Sequence, residues 1–557
     1  MAVGAFLPSE ARQWAHAGEQ NCEVWIAGTA IADLLPLRGE PLARHILEQI
    51  LSGRDLTDLL TALRGHYALV LRRGEMLCAA TDPIRSIPLF YRTEGPDAGV
   101  SDDAWTLRVA DGLSRESVAE FSTAGFVTGP HTLFENVRTL QAGEIVRMAR
   151  GQAVAERYYD YRCTYAEDGE DATAVAALDK VIMSCMGRAV AACKGRQAVI
   201  PLSGGLDSRL IASCFKRLGH PDVVCFAYGL PGNWEAEISR AKAKALGLPW
   251  FFVPYTPEML SRHYHSAEMR RFWRFAAQGS ALPSIPEWPA LREVTEQGLI
   301  KPDAVFLSGQ SGDFINGSHL KYLFDPAFCD DPLNVEQAII DKHYTLWRDL
   351  VRESEVMAPV RRRIRDILAG FPLATPEQAA CAYEYWECQE RQLKYVVGGG
   401  RVFEFFGHEW WMPLWDVEIM DFFKQISIGL KLGGYLYAKC LAAHDPFGVF
   451  AENAPKSRFD RRRAQKELQG RETPRRKLKA LLGNLPGLRA PLEQRRWQKE
   501  HRHYYRHSPL GFPRIYSERE YVYKDPAKRH VLSLWLRDFL REEHGVDLSA
   551  RDFSTTG

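Results

Sequence analysis

The chain has 557 residues, 46% of them hydrophobic and 25% charged, and its formal net charge is +1. That length exceeds a single core and sets roughly two or three domains as the expectation. The near-neutral balance leaves no electrostatic footprint for nucleic acid, and no run of roughly 18 apolar residues is available to span a membrane.

Met1 to Gln13 has neither the basic region nor the apolar stretch of a secretory signal. The 11 cysteines are scattered, with no C-x-x-C pair, and read as reduced thiols of a cytoplasmic protein. Val24 to Ala27 and Tyr67 to Leu71 have the β-branched and aromatic composition of strands. Met76 to Ala80 follows Arg73-Gly74-Glu75, which predicts a hairpin, and Leu42 to Leu51 has helical spacing. A sheet-rich domain over residues 1–160 is therefore expected first. The first cysteine, Cys22, directly precedes a strand and reads as a core thiol.

From residue 170 the pattern changes. Ala172 to Cys193 is a helix with Val175, Leu178, Val181, Ile182, Cys185 and Val190 on one broad face. Four apolar strands follow at intervals: Ala198 to Leu202, Val223 to Tyr228 ending at Gly229, Trp250 to Val253, and Ala304 to Leu307. Helices lie between them, including Glu235 to Leu246 with Gly247 as its C-cap. Such alternation predicts a parallel sheet covered on both faces, with ligands beyond the carboxyl ends of its strands.

Two loops lie at those ends. Ser203-Gly204-Gly205-Leu206-Asp207-Ser208 joins the first strand to a helix bearing Leu210, Ile211, Phe215 and Leu218. Its glycines allow close backbone approach, and its amides, two hydroxyls and helix N-terminus suit phosphate. Asp207 would repel phosphate unless a divalent cation sat between them, the usual arrangement for Mg²⁺. The loop has no Walker lysine. Ser308-Gly309-Gln310-Ser311-Gly312-Asp313 follows the fourth strand and supplies a second carboxylate, with Gly317 just beyond.

The first loop resembles the pyrophosphate loop of enzymes that split ATP between the α and β phosphates, among them asparagine, β-lactam, argininosuccinate and GMP synthetases. Over roughly residues 24 to 460 the chain resembles the asparagine synthetase family. Leu63 to Leu69 and Asp82 to Tyr91 are similar to that family's glutaminase domain, and Gly125 to Phe134 and Gln141 to Glu144 to its linker. Ser308 to Asp313 resembles a variant of its second loop, with Ser311 for a glycine and Phe314 for a glutamate. Glu237 matches an acidic position. Trp410 to Asp416 is similar to the segment leading into a substrate-side helix, where Asp416 also reads as the N-cap of Val417 to Gln425. Asn453 to Phe459 resembles a segment carrying a lysine that faces the acyl-adenylate. The family's glutaminase uses a cysteine at position 2, where this chain has Ala2, so no hydrolysis of free glutamine is expected.

The resemblance implies an Ntn-hydrolase-like α+β sandwich over residues 1–160. A doubly wound, parallel-sheet α/β synthetase domain follows over 170–460, then a basic, mainly helical region over 461–557. It implies ATP and Mg²⁺ as cofactors. Leu202, Ser203, Gly204, Gly205, Leu206, Asp207, Ser208, Phe226, Ala227, Gly229, Ser308 and Gly309 would hold ATP or pyrophosphate. Asp207 and Asp313 would hold the metal, and Lys456, Asp207 and Asp313 would be catalytic. The reaction would form a C–N bond: amidation of a sugar acid for a surface polysaccharide, asparagine synthesis itself, or lactam closure, as in β-lactam synthetases and lasso-peptide cyclases. A non-catalytic scaffold is the reading from another class. The partners would be a small-molecule carboxylate and ammonia or an amine donor, with a separate glutaminase, a carrier or a homodimer left open and no nucleic acid.

Later in the chain, Val335 to Ile367 and Pro376 to Tyr395 read as helical. From Lys456 to Arg506 basic residues far outnumber acidic ones, interleaved with His501, His503, Tyr504, Tyr505 and His507. This reads as a solvated basic face, with a docking surface for an anion as the alternative. His530 to His544 is an amphipathic helix.

Overall fold

The computed structural model describes residues 4–32, 35–95, 98–109, 112–167, 169–310, 312–453, 489–524 and 531–548. Lys456, Ala2 and Ser311 lie outside the described residues.

A seven-stranded sheet forms the N-terminal half. Cys22–Ala32 runs antiparallel between Ala15–Glu19 and Arg64–Arg73, and Arg64–Arg73 turns into Met76–Thr81. Gly74 sits at φ 59° in that hairpin, where glycine is unstrained. Side chains sort with a period of two. Tyr67, Leu69 and Leu71 face the helices Gly39–Leu51 and Leu56–Ala62. Ala68 and Val70 face a second sheet, four-stranded, made of Ala5–Phe6, Gly99–Ser101, Phe90–Arg92 and Arg138–Thr139.

The second half holds five parallel strands in the order Trp250–Pro254, Val223–Gly229, Ala198–Pro201, Val305–Leu307 and Glu409–Trp411. The first four are the expected ones. Their side chains divide between two cores. Ala198, Ile200, Val223 and Cys225 pack with the helices Asp171–Ala192 and Leu206–Arg217. Val199, Val224, Phe226 and Phe306 pack with Ala267–Ala277, Trp288–Glu296 and Val531–His544. The sheet is thus doubly wound, and burial on both faces explains its unbroken apolar runs.

The two halves share a core. Helix Arg115–Ala124 places Val118, Ala119 and Phe121 among the residues of the second face. Some of the described residues beyond 460 join that core: Phe512, Ile515, Trp535 and Phe539 are all buried there, while His503, Tyr504, Arg506 and His507 on the helix Arg489–His507 are exposed. Val335 to Ile367, expected to be mainly helical, holds three helices, Val335–His343, Arg348–Val351 and Ser354–Leu368. Among the described residues no helix is long and apolar enough to cross a membrane.

Candidate active site

The loop after Ala198–Pro201 is held open by its own serines. The Ser208 hydroxyl accepts the Ser203 N–H at 3.0 Å and lies 3.1 Å from the Ser203 hydroxyl, which in turn accepts the Gly205 N–H at 3.2 Å. Helix Leu206–Arg217 starts from Gly205, whose cap position carries no side-chain hydrogen bond. Its first-turn amides therefore have no capping side chain and point at the loop mouth. Arg209 pins the other side, donating to the Gly204 carbonyl at 2.9 Å, the Val449 carbonyl at 2.9 Å and Asn453 Oδ1 at 2.8 Å.

The second loop packs directly on the first. A Cβ on Gly309 would lie 2.6 Å from the Ser208 nitrogen, and one on Gly312 would lie 2.2 Å from the Asp207 carboxyl carbon. A side chain at Gly309 would force the two backbones apart, and one at Gly312 would displace the Asp207 carboxyl. The contact puts Asp207 and Asp313 in one mouth, Asp313 exposed at its rim. Burial, and then the negative Asp313, push the Asp207 carboxyl up to about 7, against a hydrogen bond from Tyr437 that favours the charged form. The Tyr437 hydroxyl donates to Asp207 Oδ1 at 2.9 Å.

The remaining sequence candidates separate into two groups. Ser308 is buried at the sheet edge, its N–H bonded to the Trp411 carbonyl at 3.0 Å, so Glu409–Trp411 fixes the second loop. Leu202 donates its N–H to the Phe226 carbonyl at 2.8 Å. The Phe226 ring is stacked on Phe251 in the core, and Ala227 is buried beside it. Gly229 has φ 129°, and a Cβ there would meet the Pro509 carbonyl at 2.7 Å, so it admits the C-terminal segment. The Phe226 side chain is thus a core group, and Gly229 leaves room for the Pro509 carbonyl. Glu237 is exposed and pairs with Arg240 at 2.7 Å, the solvated first-turn role. The backbone of Glu235 is the part of this helix that lies against the loop: a Cβ on Gly204 would be 3.8 Å from its Cα, and burial pushes the Glu235 carboxyl up.

Sequence reasoning missed a polar cluster at the carboxyl edge. Glu287 accepts from Gln310 Nε2 at 3.1 Å and from Ser284 at 3.4 Å. Burial pushes its carboxyl up, opposed by hydrogen bonds that include one from Tyr228. Gln310, in the middle of the second loop, was the available signal. Asp416 is the N-cap expected, accepting the Glu418 N–H at 3.0 Å, and it also pairs with Arg188 at 2.8 Å.

Two family models match the sequence: Asparagine synthase over residues 186–508 and Glutamine amidotransferase domain over residues 49–159. Solved structures it is similar to include the allosteric regulatory enzyme of purine biosynthesis, at 12% identity and a TM-score of 0.18, covering 53% of this chain and 56% of that one. Another is glutamine phosphoribosylpyrophosphate amidotransferase from B. subtilis complexed with ADP and GMP, at 11% identity and a TM-score of 0.17, covering 54% and 58%. The chain therefore spans little more than half the length of these chains. No protein of curated function matches it.

Proposed function

This chain belongs to the asparagine synthase family, whose work is ATP-dependent amidation, and from that premise we propose that it activates a sugar-type carboxylic acid as an acyl-adenylate and passes the acyl group to ammonia or an amine. A carboxylate oxygen attacks the α-phosphorus of ATP, and the bond to the β-phosphate oxygen breaks, releasing pyrophosphate. The amine nitrogen then attacks the acyl carbon and AMP leaves, with the amine's surplus proton going to solvent or a nearby base. The observation that carries this reading is the contact between the two loops, which sets Asp207 and Asp313 beside a mouth lined by loop amides and two serine hydroxyls.

Two carboxylates in one mouth, Asp313 exposed and Asp207 half-buried with a raised pKa, form an oxygen donor set that suits Mg²⁺. Asp207 and Asp313 would hold it, and it would neutralise charge on the departing pyrophosphate. The chain's own groups do the rest. Ser203, Ser208 and the helix N-terminus bind the phosphate oxygens, and Tyr437 orients Asp207. Lys456 is the candidate for steadying the acyl centre. The test is product analysis with ¹⁸O-labelled carboxylate. AMP carrying one ¹⁸O, together with pyrophosphate, supports the reading, and ADP with phosphate overturns it.

A further inference from the structure

We propose that the cavity opening at Asp313 is the acyl-substrate site, and that it takes a ring-bearing carboxylic acid with a second anionic group, which Arg391 binds. This rests on the adenylation reading for the place where the first carboxylate reacts. The cavity, of about 590 Å³, is lined by Asp313, Asp341, Tyr322, Phe328 and Arg391 among others. Such a volume belongs with sites for drug-sized ligands, and an amino acid would leave most of it empty.

The charge balance of one wall singles out Arg391. Helix Pro376–Trp386 continues into the wider-wound stretch Glu387–Val396, a π-helix, a form met mostly in short pieces and often at functional sites. Three buried acids along this continuous helix are each matched by a lysine, and Glu387 among them lines the cavity. Glu384 pairs with Lys431 at 2.8 Å, Glu387 with Lys342 at 2.8 Å and Glu390 with Lys394 at 2.6 Å. Arg391 is on the same stretch, and among the described residues no carboxylate lies within ion-pair distance of it. One of its Nη atoms is buried without a hydrogen-bond partner, and its guanidinium lies 4.4 Å from the centre of the Tyr395 ring. A held, unpaired guanidinium facing a cavity is a fork for a carboxylate or phosphate. Also lining the cavity, Tyr322 and Phe328 keep 43% and 57% of their surfaces exposed, with ring centres 4.8 Å apart. The Tyr322 ring is covered on one side by the Lys342 ammonium, 4.6 Å from its centre, which Glu387 already neutralises. Exposed aromatic surface in a cavity with one unpaired guanidinium fits a ring that carries an anionic group, and the exposed Asp341 suits ring hydroxyls.

The experiment uses the full chain with MgATP and three probes: D-glucuronic acid 1-phosphate (ring and second anion), D-glucuronate (ring alone) and L-aspartate (no ring). Calorimetry should show the phosphorylated acid binding tightest. Arg391→Ala should weaken it by about 30-fold or more, Arg391→Lys should restore part of the loss, and the affinity for ATP should stay at the wild-type value. UDP-glucuronate, run beside the 1-phosphate, separates a nucleotide-linked source from a simple phosphate ester. Equal binding of the 1-phosphate by wild type and Arg391→Ala, tighter binding of aspartate, or binding of none of the probes overturns the proposal. Arg391-dependent binding accompanied by ADP formation sinks the adenylation reading and leaves the site standing. AMP formation from aspartate in Arg391→Ala at the wild-type rate does the reverse.

Discussion

Asp82 in the N-terminal sheets and Asp207 in the parallel sheet share one physical label and have opposite meanings. Burial pushes the first carboxyl up to about 6 and the second up to about 7. Around Asp82 every donor converges. It accepts N–H bonds from Tyr67 at 2.9 Å, Ile84 at 2.8 Å and Ser86 at 3.2 Å, and the Ser86 hydroxyl besides. Among the described residues Asp207 has one hydrogen bond, from Tyr437, and a like charge, Asp313, near it. A raised carboxyl therefore does not by itself mark a site. The mark is a half-buried charge left short of partners, where a ligand could supply them.

The largest expected effect tests the poor neighbourhood. Asp207→Asn and Asp313→Asn should each lower ATP-dependent turnover on the order of a hundredfold or more, with circular dichroism and melting temperature preserved. Near wild-type turnover at limiting Mg²⁺ would show that the altered carboxylate is not a ligand. Gly312→Ala should act in the same direction, because its Cβ would overlap the Asp207 carboxyl. It should lose about tenfold or more while the sheet stays folded.

Asp82→Ala should do the converse. It strands several buried donors, so urea unfolding should show a loss of about 3 kcal/mol, while turnover per folded molecule stays at the wild-type value. Loss of turnover without loss of stability would reverse the comparison, making Asp82 functional.

The seam between the halves is the next place to press. His66 stacks on Trp411 at 4.5 Å, joining the antiparallel sheet to the fifth parallel strand. Burial pushes its pKa down to about 4, against a hydrogen bond to the Trp410 carbonyl that raises it. A histidine depressed in the fold is protonated first in the unfolded chain. Its stabilisation is therefore whole above about 6.5 and is lost as pH falls toward 4. The loss should reach about 3 kcal/mol, read as a fall in melting temperature over that window, and His66→Gln should flatten that fall. A wild-type melting temperature unchanged between pH 6.5 and 4 would count against a buried neutral His66.

The same contrast explains what could be read in the sequence. Ser203 to Ser208 was legible because its chemistry lies in consecutive residues, and the four strands were legible because both faces are buried. Glu409–Trp411 was not, since three residues carry no period and their partner strand lies about a hundred residues back. Tyr437 was hidden for a similar reason: it meets Asp207 across 230 positions. The acids Glu384, Glu387 and Glu390 recur at helical spacing, yet their cations come from residues 342, 394 and 431, so the surplus at Arg391 appears only in three dimensions. Gly229 ends its strand where the sequence put it, but its close approach to Pro509 joins residues 280 positions apart and no local pattern announces it.

The smallest effect belongs to Cys22. Glutaminases of this type need a thiol that can reach solvent as a thiolate. Cys22 instead opens the strand Cys22–Ala32 with 2% of its surface exposed, packed among Val24, Leu71 and Cys78. Burial pushes its thiol pKa up, opposed by Arg73, which is the wrong direction for a nucleophile. The expected results are no glutamate release from glutamine, with or without ATP, and slow alkylation by iodoacetamide at neutral pH. Cys22→Ala should cost about 1 kcal/mol in urea unfolding and leave ammonia-dependent turnover unchanged. Glutamate release that disappears in Cys22→Ala would mean that this strand end opens in solution. Release that survives the substitution would place a glutaminase nucleophile elsewhere in the chain. Either result would collapse the contrast between a half that keeps its reactive groups exposed to ligand and a half that has folded its first thiol into the core.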